Sequence, residues 1–182
     1  EIREIMKDTG FEVLSMKEAG LALDIAEDGA TFAENALIKA RAVCAASGGI
    51  ALADDSGLEV DYMGGAPGVY SARFLGEDTS YDVKNRYILD KLAQAQEEER
   101  GARFVCVIAA VFPDGREETR EAVIEGRIAR EPAGKNGFGY DPIFYVPEYG
   151  CTTAELSIEQ KNKISHRAKA LNRMKEEVLC RL

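Results

Sequence analysis

The sequence is short of the residues that build the simplest kinds of site. Among 182 residues there is one histidine, His166, and there are four cysteines, Cys44, Cys106, Cys151 and Cys180. The cysteines lie far apart, form no CxxC pair and have no histidine at ligand spacing. That excludes a zinc motif and a disulfide framework, and it fits reduced thiols in a cytoplasmic protein. One histidine without a G-x-S-x-G sequence gives no basis for a Ser-His-Asp hydrolase. Proline, with 5 residues, and glycine, with 17, are too few for a collagenous or low-complexity chain. No apolar run approaches the ~20 residues that span a bilayer, and no basic start leads into an apolar stretch, so a soluble protein with no membrane partner is expected. Positive charge is the minority: 23 Lys and Arg face 32 Asp and Glu, a formal balance of −9. Nucleic-acid binding depends on cations that neutralise phosphates, so nucleic acid is not expected as a partner. A small polyanion held by a few local cations and a metal is compatible with that balance.

What is present is ordinary globular material, 46% hydrophobic and 30% charged, enough for one good-sized domain or two lobes sharing a core. Ile2, Ile5 and Met6 recur at helical spacing up to Asp8-Thr9-Gly10, and Phe11 to Ser15 alternates like a strand. Thr31 and Glu34 are spaced as a capping box, opening a helix that runs to Ser47-Gly48-Gly49. Ile50 to Ala53 is a short buried strand that ends on Asp54-Asp55-Ser56-Gly57, and Leu58 to Val60 resumes extended patterning. Residues 64–68 (GGAPG) must be loop. A helix is predicted from Tyr81 to Gln96. Phe104 to Phe112 and Thr119 to Ile128, joined by Pro113-Asp114-Gly115, describe a β-hairpin. Residues 131–141 form a loop with glycines at 134, 137 and 139, and Pro142 to Val146 returns to strand. Ser157 and Gln160 make a second capping box, and Ser165 caps a last helix with an apolar stripe of Ala168, Leu171, Met174 and Val178. Without repeats or Ser/Gly linkers, interspersed helices and strands predict an α/β fold with a mixed sheet.

Three constellations could carry chemistry. Adjacent carboxylates at a strand point in opposite directions, so one of Asp54 and Asp55 can enter a cleft as a hard oxygen ligand for Mg²⁺; the bland alternative is a solvated Asx turn. Glu27 or Asp28 could supply a second ligand, or both could be exposed acids beside Gly29. Glu34 is accounted for as the capping partner of Thr31. The G-x-x-G-x-G of 134–139 leads into a strand, not a helix, and so is no dinucleotide fingerprint. A phenylalanine between Gly137 and Gly139 has little local cover as a core residue, yet Phe138 suits stacking on a planar base; alternatively it anchors its loop. Lys161, Lys163, His166 and Arg167 gather cations around a helix N-terminus, against the macrodipole, either for a function or as solvated surface charge.

Taken in order, six blocks resemble the inosine triphosphate pyrophosphatase family, the non-canonical purine nucleoside triphosphate pyrophosphatases. They are residues 31–41 (TFAENALIKAR), 53–58 (ADDSGL), 64–73 (GGAPGVYSAR), 130–134 (REPAG), 137–142 (GFGYDP), and Lys161 with 164–167 (ISHR). Each block is short, but the ordered set spans nearly the whole chain. The resemblance implies a single domain over residues 1–182, two-lobed and α/β, with a long central mixed sheet. It further implies a homodimer that binds a purine nucleoside triphosphate between the lobes. Carried over by position, Asp55 is the catalytic acid that binds Mg²⁺ and activates water, and Glu27 is a second metal carboxylate. Lys39, Ser56 and Arg73 are triphosphate or ribose contacts. Phe138 is the base-stacking ring, with Gly139, Tyr140 and Asp141 completing its wall, and Lys161, His166 and Arg167 are base-reading donors.

The implied reaction is attack of water on the α-phosphorus of ITP, dITP or XTP, giving the monophosphate and pyrophosphate. Hypoxanthine and xanthine offer a 6-oxo acceptor where adenine offers an amino donor, so donor side chains favour the former. Guanine shares the 6-oxo group, and rejecting it requires its 2-amino group to meet a donor or a wall. The family opens with a strand and a Thr/Ser-x-x-Asn-x-x-Lys phosphate loop ahead of its first helix, whereas this sequence starts inside that helix. With every downstream site residue present, omission of that segment is expected over its natural loss. Two rivals are a Maf-like pyrophosphatase of other base specificity, which the 137–142 and 164–167 blocks disfavour, and a catalytically silent nucleotide-binding module, which retained Asp55 and Glu27 disfavour.

Overall fold

A computed structural model of the chain describes residues 2–181. Its helices are α1 (Ile2–Met6), α2 (Phe32–Ser47), α3 (Tyr81–Lys91), α4 (Ile158–Ile164) and α5 (His166–Glu177). Its strands are β1 (Ala51–Val60), β2 (Gly101–Val111), β3 (Glu117–Ile128), β4 (Phe144–Val146) and β5 (Cys151–Thr152), hydrogen-bonded in that order in one sheet. The α/β expectation holds, but among the described residues the sheet is antiparallel where a mixed one was expected: Arg127 pairs with Tyr145, and Val146 with Cys151. β2 and β3 form the predicted hairpin, closed by Phe112 N–H on the Arg116 carbonyl at 2.9 Å.

The chain divides into two compact units. One comprises Glu1–Ser56, Cys106–Ala122 and His166–Leu182; the other comprises Gly57–Val105 and Val123–Ser165. β1, β2 and β3 each contribute residues to both. The first unit has its core around Met6, Ile108, Phe112, Leu171 and Met174, where the stripe of α5 meets β2. The second is built on Leu58, Ile88, Leu92, Ile143 and Phe144. Each such side chain, fully buried, contributes ~1.5–3 kcal/mol.

Sequence patterning and structure part at five places. Pro142 and Ile143, expected as the start of a strand, lie in a 3₁₀ turn over Asp141–Ile143, and the strand begins only at Phe144. Residues 11–15 are not a strand: no ladder forms, and the Val13 carbonyl is taken by Arg3 Nε at 3.0 Å. α3 stops at Lys91, five residues before the predicted end. The Leu92 carbonyl, which would continue the helix, accepts from the buried Arg100 guanidinium at 2.6 Å, and Gln96 N–H turns to Glu99 Oε2 at 2.8 Å. β1 runs unbroken through the acids that were expected to end it. Thr31 caps α2 by accepting Glu34 N–H at 3.1 Å, but Glu34 returns its bond to Ala30 N–H, not to Thr31, so the box closes one residue early.

Candidate active site

The first unit assembles a carboxylate cluster from one helical turn and one strand. Asn35 and Lys39 are four residues apart on α2 and so share a face. Asn35 is fully buried; its Oδ1 accepts Gly29 N–H at 2.8 Å and its Nδ2 donates to Asp55 Oδ2 at 3.1 Å. Lys39 Nζ donates to Asp55 Oδ1 at 3.2 Å and to Glu27 Oε2 at 2.9 Å. The chain approaches so closely at Gly29 that a Cβ there would lie 2.7 Å from Asn35 Oδ1. Both oxygens of Asp55 are therefore oriented, one by an amide and one by an ammonium. Burial pushes the Asp55 carboxyl above the ordinary carboxylate range; the positive charge of Lys39 and the Asn35 hydrogen bond pull it back in part, and the negative charge of Glu27 adds to the rise. The neighbouring Asp54, carried by the strand's period of two to the other face, takes Arg167 Nε at 3.0 Å. Ser56 Oγ points back at Asp54 Oδ2 at 3.5 Å. Asp54 and Arg167 line an open groove with Ile2, Arg3, Val13 and Leu14.

Of the two candidate second ligands, the structure brings in Glu27 and leaves Asp28 exposed. Among the described residues no three His, Cys, Asp or Glu side chains gather as a ready-made metal cage. Two hard carboxylates beside a lysine nevertheless suit Mg²⁺, which is commonly held by one or two carboxylates, with substrate phosphates and water completing the shell.

The second unit presents an aromatic ring on a pinned loop. Phe138 is 73% exposed. Its N–H donates to Asp141 Oδ2 at 2.8 Å, and Lys161 Nζ reaches the same oxygen at 2.5 Å while standing 5.3 Å from the centre of the Phe138 ring. Buried Thr153 fills the other side of the carboxylate, with Oγ1 2.8 Å from Asp141 Oδ1. Gly137 turns the chain at φ 75°, where a Cβ would fall 2.1 Å from Asp141 Oδ2. That conformation and that clearance both require glycine.

Several expected ligand contacts are, as placed, supports. Tyr140 is buried: its hydroxyl donates to the Ser71 carbonyl at 2.7 Å, and its ring meets Tyr81 edge-on at 5.2 Å. Burial raises its phenol far above the ordinary value. Asp141 is likewise buried and holds the loop, and Lys161 holds Asp141. Arg73 lies over the Tyr70 ring at 5.0 Å, and half-buried His166 opens α5. Glu27, Lys39 and Asp55 come together in the first unit, as do Phe138, Gly139, Asp141 and Lys161 in the second. Sequence reasoning missed Asn35, although its i, i+4 spacing from Lys39 was a usable signal. It also missed Thr153, which carries no signal at all.

A model of the Ham1 family matches residues 1–177. The chain belongs to the Ham1 family. It is 52% identical over 176 residues to a dITP/XTP pyrophosphatase of Desulforamulus reducens, covering 97% of this chain and 88% of that protein. It is 50% identical over 183 residues to the protein of that name in Caldanaerobacter subterraneus subsp. tengcongensis, covering 100% and 91%. Among solved structures, a HAM1 protein from Coxiella burnetii superposes with a TM-score of 0.92 at 43% identity, covering 100% of this chain and 92% of that one. The family is the one the ordered sequence blocks indicated. No helix among the described residues is long and apolar enough to cross a membrane.

Proposed function

We propose that the chain is a nucleoside triphosphate pyrophosphatase that hydrolyses ITP, dITP and XTP to the monophosphate and pyrophosphate, and so clears non-canonical purine nucleotides. The observation that carries this reading is the buried Asp55 carboxylate, raised in pKa and aimed by Asn35 and Lys39. A carboxylate whose pKa is raised is a stronger base while it remains ionised. Asp55 accepts the proton of the attacking water, the bond from the α-phosphorus to the bridging oxygen breaks, and pyrophosphate departs. Lys39 is placed to neutralise charge on the triphosphate, and Ser56 and Arg73 add polar contacts along the phosphate and ribose. Mg²⁺, which Glu27 and Asp55 would hold, supplies charge neutralisation at the phosphates when bound.

Phe138 is the stacking platform for the base, a contact worth ~1–3 kcal/mol. Gly139, Tyr140, Asp141 and Lys161 shape and hold its loop, and donors from His166 and Arg167 favour a 6-oxo purine over adenine. The relatives named dITP/XTP pyrophosphatase, at about half identity over nearly the full chain, support dITP and XTP among these substrates. The chain acts as one two-lobed domain and as a homodimer in the cytoplasm, in keeping with four free cysteines.

The test is pyrophosphate release from ITP, XTP, GTP, ATP and dTTP with Mg²⁺, for the protein and for Asp55→Asn. Turnover confined to ITP and XTP, and lost in the variant, is the expected outcome. Equal turnover of ATP and dTTP would remove the purine-sanitising reading, and an active Asp55→Asn would remove the assigned base.

A further inference from the structure

The loop that carries Phe138 is tied to α3 through a buried amide. Asn85 Nδ2 donates to the Gly139 carbonyl oxygen at 3.0 Å. Its other amide atom, Oδ1, is the buried side-chain polar atom that lacks a hydrogen-bond partner among the described residues. An orphaned buried acceptor opposes folding, and an apolar residue of similar size would avoid it. Turning the amide over does not help, because it sets Oδ1 against the Gly139 carbonyl, acceptor against acceptor, and orphans a donor instead. Position 85 is thus occupied at a local disadvantage by a group whose one satisfied function is to hold Gly139.

What that bond fixes follows from the chain. Asp141 holds the N–H of Phe138, in the peptide before it. Asn85 holds the carbonyl of Gly139, in the peptide after that glycine. The two bonds bracket the four backbone dihedrals of Phe138 and Gly139, the latter at φ 68°, a pair that would otherwise swing with glycine's freedom. Tyr81, also on α3, packs its ring 3.5 Å from where a Gly139 Cβ would sit, so the same helix limits the loop sterically.

We infer that Asn85 is a positioning residue for purine recognition, which presets the exposed Phe138 ring by clamping the Gly139 carbonyl. This rests on the reading of Phe138 as the base-stacking ring. A ring held ready loses little freedom on binding, so the clamp acts on affinity and not on bond cleavage.

The test is steady-state hydrolysis of dITP by Asn85→Leu, by Phe138→Ala and by the double variant, with thermal unfolding of each. Asn85→Leu is expected to raise KM about tenfold, with a much smaller change in kcat. Its Tm should equal or exceed that of the unaltered protein, because the orphaned acceptor is gone. In the Phe138→Ala background the same substitution should add nothing to KM, since the ring it positions is absent. A lowered Tm with unchanged KM would make Asn85 merely structural and overturn the inference. If Asn85→Leu does not fold, Asn85→Ala carries the same KM comparison. Should Phe138→Ala itself leave KM unchanged, the stacking reading fails and the clamp with it; should Phe138→Ala raise KM and the Asn85 variants not, the clamp alone fails.

Discussion

The carboxylate cluster of the first unit and the Phe138 loop of the second are built on opposite principles. Around Asp55, side chains do the positioning: Asn35 and Lys39 each hold one oxygen of the buried carboxylate, Glu27 holds Lys39, and all three change its proton affinity. Around Phe138, the ring proposed to stack on the base is left in the open and the backbone is positioned, by Asp141 and Asn85. A group that must exchange a proton needs a tuned electrostatic setting, which burial supplies. A group that must stack needs a free face and a fixed frame. Damage to the first cluster should therefore appear in kcat, and damage to the second in KM.

The largest break comes from Asp55→Asn, which removes the proposed base and metal carboxylate but keeps the shape. We expect kcat to fall by about 10³-fold or more, on the scale of a lost general base. Stability should move the other way. Burial raises the folded-state pKa of Asp55 above that of the unfolded chain. The protonated form therefore favours folding at low pH, and that contribution is lost as pH rises through the folded pKa. Near neutrality the ionised group is a burden, so Asp55→Asn should unfold at the same temperature as the unaltered protein or higher.

Lys39→Met is next. It leaves Asp55 buried but removes the largest of the influences that lower its pKa. On the proposed function the reaction needs ionised Asp55, present above its pKa and lost as pH falls through it, so the acid limb of the pH–rate profile should move to higher pH. The lost charge on the triphosphate should lower kcat by about 10²-fold. An unmoved acid limb would show that Asp55 does not govern it.

The same contrast explains what could be read from the sequence. Asp55 was legible as one of two adjacent acids on a strand, Glu27 only as one of two candidate second carboxylates, and Lys39 only through the family resemblance. Phe138 was legible because glycines flank it. The supports were not. Asn85 lies inside a helix with nothing to distinguish it from a surface amide, and Thr153 follows a two-residue strand too short to pattern. Tyr140 and Asp141 were found, but their contacts with Ser71, Phe138 and Thr153 were not, because motif position does not reveal which neighbours a residue holds. The fold showed the same division: the hairpin and the helix caps at Thr31 and Ser157 were visible, whereas the end of α3 depended on Arg100, eight residues beyond Leu92, reaching back to its carbonyl.

A milder break of the first cluster is Gly29→Ala. The added Cβ would stand 2.7 Å from Asn35 Oδ1 and 3.0 Å from Asn35 N, close enough to push the amide off Gly29 N–H and release Asp55 Oδ2. Misaiming the carboxylate without removing it should lower kcat about tenfold, equivalent to ~1.4 kcal/mol of barrier, with little change in KM. A change confined to KM would place the 29–35 contact on the binding side and blur the contrast between the clusters.

The smallest effect should come from Thr153→Val in the second unit. The substitution preserves volume and removes one donor from the Asp141 carboxylate, which keeps Lys161 and Phe138 N–H on its other oxygen. The loop should stay in place on average and gain freedom, so KM for dITP should rise only about threefold, the equivalent of less than 1 kcal/mol. The cost falls chiefly on stability, because a hydrogen bond to a charged group is lost at a buried site, worth ~1.5–3 kcal/mol. For a chain of this size that lowers Tm by roughly 3–10 °C. Asn85→Leu should do the reverse, raising KM while Tm holds. Measured side by side, the two variants separate a residue that keeps the loop folded from one that keeps the ring aimed, and a common response in both would mean that the loop is held as one unit with no such division.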